Sequence, residues 1–377
     1  ENLKNDMMRK TMGKLISLEQ ALKMKGIDQA SMEMQMVEAI AGSEEQKNDD
    51  NGVFQRGYRE AEGSIKGVLP CPVRMQFIDA LKDWETEHRA NMDVRLQSAS
   101  MGIAEIEEEV SKARDAKDLS DVYLSAGFEL FFDKEKFGKF QEEGCFYAAR
   151  TEYNKDFDNA SLSLKDPRGN YTILGVVPAI FVVNKKALGD RKVPESWRDL
   201  FTEEFERSVT LPTGDLDMFN ALMLGIYSRY GKDGVYRLGR ALTEAMHPAT
   251  MVKEENRGGG RAAAVSIMPY FFSKMIRENP ELCVVWPKDG AVLSPIFLLT
   301  KKEHGPKAGE LIDFLTSLEA AEVLGADGKF PQTRADYENG LGEDQKFLWC
   351  GWDFLYNHDI GPILKQTEEW FEEGRQA

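Results

Sequence analysis

The sequence is poor in cysteine, in histidine, in positive charge and in long apolar runs. Its four cysteines, Cys71, Cys145, Cys283 and Cys350, lie far apart in 377 residues with no C-x-x-C pair. That spacing excludes a disulfide framework and a zinc knuckle, and it assigns no redox compartment. Four histidines, His88, His247, His304 and His358, stand in unlike contexts and read as surface or capping residues rather than metal ligands. The longest apolar run, Ile173 to Val183, is eleven residues even with Gly175 and Pro178 counted. A membrane-spanning helix needs about 20. Lys and Arg number 48 against 64 Asp and Glu, a formal net charge of −16. Phosphate backbones and anionic membranes are bound by clustered basic residues, so the balance argues against a nucleic-acid surface and against tight membrane adhesion. A local basic pocket is compatible with that charge, which governs solubility and steering rather than one site.

Enzyme signatures are also missing. No G-x-x-x-x-G-K-[ST], G-x-S-x-G or H-E-x-x-H occurs, and Gly258-Gly259-Gly260 lacks the frame of a dinucleotide loop and reads as a mobile loop. Asp215 and Asp217 have the spacing of the start of a calcium loop, but the later ligands of such a loop do not follow. The expectation is a protein without catalytic residues, metal or cofactor.

What is present is enough apolar chain to build a core: 42% hydrophobic, 10% aromatic and 30% charged residues. At about 150 residues per domain the length predicts two or three units. The first forty residues contain no proline, and Leu15, Leu18, Leu22 and Ile27 recur at helical intervals, with Ser17 placed to cap a helix. Gly42 to Gly52 is polar and turn-rich, a linker. Residues 1–50 are therefore expected to form a helical module and linker. A start at Glu1 rather than Met is compatible with removal of an upstream signal, anchor or domain.

Beyond the linker, strand-like and helix-like segments alternate. Ile65–Leu69, Met92–Leu96, Asp121–Leu124, Val284–Trp286 and Val292–Thr300 read as strands, and Thr172–Val183 as a strand pair broken at Pro178. Phe77, Ile78, Leu81 and Trp84 share one helical face, Leu222, Ile226 and Tyr230 another, and Ala308, Leu311, Ile312, Leu315 and Leu318 a third. Glu105 to Ala116 is a charged helix. The pattern predicts an α/β fold with mainly parallel sheets.

In open α/β sheets, ligands bind beyond the carboxyl ends of strands, where helix N-termini offer free N–H groups. Three turns fit. The first is Pro70-Cys71-Pro72-Val73-Arg74, the second Ser125-Ala126-Gly127-Phe128, whose small residues admit a ligand to the backbone. The third, Thr213-Gly214-Asp215, leads into a helix whose dipole favours an anion. Each is equally readable as an ordinary strand–helix turn; together they favour binding.

Several stretches carry a resemblance: Asp121-Val-Tyr-Leu-Ser-Ala-Gly127, Val177-Pro-Ala-Ile-Phe-Val-Val-Asn184, Pro194-Glu-Ser-Trp197, Ala262-Ala-Ala-Val-Ser-Ile-Met-Pro-Tyr270-Phe-Phe, Val285-Trp-Pro287 and Ala308 to Leu324 followed by Phe330-Pro331. In this order, from about Ser64 to Phe330, the chain resembles an extracellular solute-binding protein of the ABC-transporter type, in its ferric-iron-binding branch. Met8–Ala21 and Met24–Asp28 resemble the end of a short helical domain of unknown function.

The resemblance implies a two-lobed type 2 periplasmic-binding-protein fold, with ligand in the cleft and hinge crossovers near Tyr171–Val183 and Pro287–Ser294. It divides the chain into lobe one (63–172, returning at 290–330), lobe two (173–289) and a C-terminal helical extension (331–377). The extension, with Trp349, Trp352 and Tyr356, is expected to be a helix packed on a lobe. Iron-binding relatives use adjacent tyrosines; here the stretch reads Tyr270-Phe271-Phe272, one phenol and an apolar wall. The expected ligand is therefore a small anionic or organic molecule rather than ferric iron. Cys71, Arg74, Ser125 to Phe128, Thr213, Asp215, Tyr270, Phe271 and Ser294 are expected to border the cleft, with Ser294 at its floor. The implied role is a monomeric, extracytoplasmic carrier working with a membrane permease. The alternative is a cytoplasmic sensor or scaffold in which the helical module makes the contacts.

Overall fold

The computed structural model describes residues 53–57, 60–69, 71–98, 103–125, 127–214, 216–256 and 263–377. The chain divides into two units, Glu1–Gly52 and Val53–Ala377. The helical module expected over residues 1–50 lies outside the described residues, as do Ala126 and Asp215.

The alternation of the second unit folds as its periodicity dictates. β1 (Val53–Arg56), β2 (Gly63–Leu69), α1 (Cys71–His88) and β3 (Met92–Ser98) come first. In α1 the apolar face Val73, Phe77, Ile78, Leu81 and Trp84 is buried, and Met92, Val94 and Leu96 bury one face of β3. Then follow α2 (Ala104–Lys112), β4 (Val122–Leu124), the short α3 (Phe128–Phe131) and β5 (Phe146–Tyr147). β2 lies between β3 and β4, parallel to both.

β6 (Tyr171–Asn184) leads into β7 (Val209–Leu211), α4 (Leu216–Ala241), β8 (Leu242–Ala245), α5 (Pro248–Asn256), β9 (Val265–Pro269), α6 (Tyr270–Ser273) and β10 (Leu282–Val285). β11 (Ala291–Lys301) returns to the first lobe, followed by α7 (Pro306–Leu315) and α8 (Leu318–Gly325). The described strands form one sheet in the order β1-β3-β2-β4-β11-β6-β9-β7-β8, with β10 also on β6 and β5 on β11.

Two long strands run through both lobes and make the fold two-lobed. β11 pairs antiparallel with β4 from Leu298 to Thr300 and with β6 from Val292 to Leu299. The far half of β6, from Ala179 to Val183, pairs with β9. Pairing is parallel among β3, β2 and β4 and among β8, β7 and β9, but antiparallel at β1, β5, β10 and the crossover strands, less uniformly parallel than expected.

Pro178 does not break β6. Val176 donates its N–H to Pro331 O at 2.9 Å, and β9 begins pairing only at Ala179. Two residues on from Val176, the Pro178 nitrogen faces the same edge, in the gap between these partners, where no donor is required. Tyr270 opens α6 directly after β9.

The C-terminal segment forms β12 (Phe347–Leu348), α9 (Trp352–Asn357) and α10 (Ile360–Gln376). It reaches both lobes. Trp352 sits among Phe132, Tyr171 and Phe297 of lobe one, with ring centroids 6.0–6.3 Å apart. α10 lies along α4 of lobe two, where Phe371 meets Phe219 at 5.3 Å and Trp370 meets Tyr227 at 5.5 Å.

Candidate ligand-binding site

The turns after β4, β7 and β9 project from carboxyl ends of strands and carry three groups of residues. In the turn after β4, Ser125 is held at φ 46° and its N–H bonds Phe297 O of β11 at 2.8 Å. Left-handed backbone at a serine costs about 1 kcal/mol or more and is held only by its surroundings. Gly127 follows at φ 82°. A Cβ there would stand 3.0 Å from Oε2 of Glu129, so that carboxyl packs directly against the turn. Phe128 is buried with its ring 5.5 Å from Phe297 and 6.3 Å from Phe132. Its ring is core, and what it can offer a ligand is backbone.

The second group surrounds the start of α4. Thr213 is half-buried, its N–H bonded to Leu211 O at 3.1 Å in a tight turn. Ser294 of β11 is buried, and its Oγ donates to the Asp217 carbonyl at 3.4 Å. That long bond seats the crossover strand beside the first turn of α4. Asn220, one turn further, donates from Nδ2 to Glu129 Oε2 at 3.0 Å. The β4 turn, the α4 N-terminus and Ser294 are therefore linked in one chain of contacts.

The third group is α6. The half-buried Tyr270 ring meets Trp286 edge-on at 5.3 Å and has Lys274 Nζ 4.7 Å above its ring centre. Phe271 is buried, 4.0 Å from Phe272 and 5.6 Å from Phe330. Lys274 also donates to Gly328 O of lobe one at 3.0 Å. The neighbouring Lys329 reaches Gln76 of α1 at 3.2 Å. The 328–330 segment thus stands between α6 and the helix that Cys71 opens and that holds the buried Arg74.

Burial raises the Glu129 carboxyl above its ordinary value, against the opposing hydrogen bond from Asn220, and partial desolvation of the otherwise exposed Lys274 side chain lowers its ammonium. Among the described residues no three His, Cys, Asp or Glu side chains gather into a metal-binding group. An open charged hollow over α2, lined by Lys66, Glu105, Glu109 and Arg114, includes no residue of the β4, β7 or β9 turns.

Glu129, Asn220 and Lys274 were not expected at the site. An acid two residues past Gly127, at the start of a helix, is ordinary capping chemistry in sequence, and Asn220 gives no signal at all.

The family described as bacterial extracellular solute-binding protein matches residues 117–358, more than half of the chain. The chain belongs to that family. It is an extracellular solute-binding protein, a class that binds its solute rather than catalysing a reaction. No curated protein matches it. Among solved structures, the solute-binding protein is similar to the periplasmic binding protein AfuA from Actinobacillus pleuropneumoniae with exogenous fructose-6-phosphate bound. They share 17% identity with a TM-score of 0.58, over 84% of this chain and 100% of that one. Iron-bound HitA from Pseudomonas aeruginosa is similar at 11% identity and a TM-score of 0.60, over 82% of this chain and 99% of that one. A structure titled as a two-component system protein mediating signal transduction matches at 14% identity and a TM-score of 0.56, over 81% and 99% of the two chains. At such identities the likeness is one of fold, and it establishes the type 2 periplasmic-binding architecture for this solute-binding protein.

Proposed function

We propose that this solute-binding protein captures a small anionic or organic solute, not ferric iron, between its lobes and presents it to a membrane permease outside the cytoplasm as a monomer. The Ser294–Asp217 contact carries the reading, because it seats the crossover strand against the first turn of a long helix. A helix N-terminus at the junction of two lobes favours a negatively charged group, and the Thr213 hydroxyl is the adjacent donor. Phe271 supports the exclusion of iron, since its buried ring leaves Tyr270 as a single phenol where ferric iron calls for several hard oxygen ligands. The structure bound to fructose-6-phosphate provides one probe, inorganic phosphate another and ferric citrate the control.

Native mass spectrometry of protein purified without denaturation should reveal a small organic or anionic adduct. Titration with ferric citrate should give no visible phenolate-to-iron band; a coloured, tightly binding complex would overturn the reading. Thr213→Val keeps the side-chain shape and removes the hydroxyl. It should weaken solute binding about ten- to a hundredfold by calorimetry, the effect of one hydrogen bond to a charged group. Unchanged affinity removes Thr213 from the site.

The similarity to a signal-transduction protein favours a second reading, a sensor in which closure is reported through the N-terminal unit. Recovery of a cytoplasmic partner by residues 1–50, rather than a permease by the two-lobed body, would select it.

A further inference from the structure

The lobes touch on both sides of the crossover strands through side chains of the protein itself. On one side Asn220 of α4 donates to Glu129 of α3 at 3.0 Å. On the other, Lys274 of α6 donates to Gly328 O at 3.0 Å, and the Phe271 ring stands 5.6 Å from Phe330. The first pair joins the helix after β4 to the helix after β7. The second joins the helix after β9 to the end of the lobe-one return. The start of α4 and the Tyr270–Phe271 stretch are placed at the cleft by the proposed function, so the inference rests on that reading for where the ligand sits.

We propose that Glu129 and Asn220, with Lys274 on the opposite side, are positioning residues that latch the lobes together and thereby set how far the solute-binding protein opens before it meets solute. A protein that binds only in a closed form loses apparent affinity in proportion to the time it spends open. Contacts made by the protein's own side chains reduce that loss. Glu129 suits the task because its carboxyl packs against the Gly127 turn while accepting the Asn220 amide, so closure and the shape of the turn are set together. Phe271 and Phe330 are both buried and add an apolar contact that needs no solute.

The test is solution scattering of the full chain, without solute, for the wild type, Asn220→Ala, Lys274→Met and the double variant. Losing a hydrogen bond to a carboxylate should lower the closed-to-open ratio about tenfold in Asn220→Ala. Lys274 is exposed, and its loss should shift the ratio by about two- to fivefold. The double variant should show a larger radius of gyration than the wild type, with both contributions adding. Asn220→Asp, which sets like charge against Glu129, should open at least as far and serves if the alanine variant misfolds by circular dichroism. Double-variant scattering superimposable on the wild type overturns the latch. A double variant that opens while neither phosphate nor fructose-6-phosphate binds the wild type faults the proposed ligand class and supports the latch. One that stays compact yet binds solute faults the latch alone.

Discussion

Glu255 shows what one buried acid does to this fold. It lies on α5 at 3% exposure, accepting Asn184 Nδ2 at 3.2 Å and Ser266 Oγ at 3.2 Å, with Thr210 donating in turn to Ser266 at 3.0 Å. Burial raises its pKa above the ordinary 4.5, and the two hydrogen bonds offset this only in part. A carboxyl with a raised folded pKa favours the native state when protonated. Its contribution is complete below the unfolded pKa and is lost as pH rises through the folded one. Glu255→Gln keeps an acceptor for Asn184, and its amide can donate to Ser266 if the Thr210–Ser266 hydroxyl pair reverses direction. The variant should melt higher than the wild type at pH 8, with the difference shrinking toward pH 4. Thermal melts across that range check it, and a variant less stable at pH 8 contradicts the assignment.

At the scale of elements, α4 and α10 pack backbone against backbone. A Cβ on Gly239 would stand 2.0 Å from Phe371 O, and one on Gly374 would stand 1.9 Å from Tyr236 O. Two glycines facing each other's helix let the backbones pack directly, a spacing that no other residue permits. Gly374→Ala must push the helices apart, at a cost of about 1–3 kcal/mol or more, read as a lower urea midpoint. An unchanged midpoint would show that α10 is not held on α4 this way. Reading elements from sequence succeeded where one period dominated. The helical face Phe77–Trp84 and the alternation Met92–Leu96 are buried as their spacing dictates. It failed at Pro178, because a proline breaks a strand only where its nitrogen faces a partner needing a donor, and that depends on which strand lies alongside.

For the whole molecule, two strands traverse both lobes and the C-terminal segment touches both, so Val53–Ala377 has no seam along which one lobe unfolds without disturbing the other. Calorimetry should give one transition for this body, with calorimetric and van't Hoff enthalpies equal. Two resolved transitions within it would show lobes that fold independently. The sequence by itself determined the class of fold, since alternating strands and helices can bury their apolar faces only as layered α/β, and its motifs carried the resemblance to solute-binding proteins. It also indicated turns after strands as the place for a ligand. The tertiary structure decided which of those residues share a neighbourhood. Phe128, placed at the cleft by its position in the chain, turns its ring into the core. Asn220 meets Glu129, 91 residues earlier, because two helices after different strands converge at the crossovers. Such a pairing has no local periodicity to announce it; it is set by how two lobes fold back on one sheet.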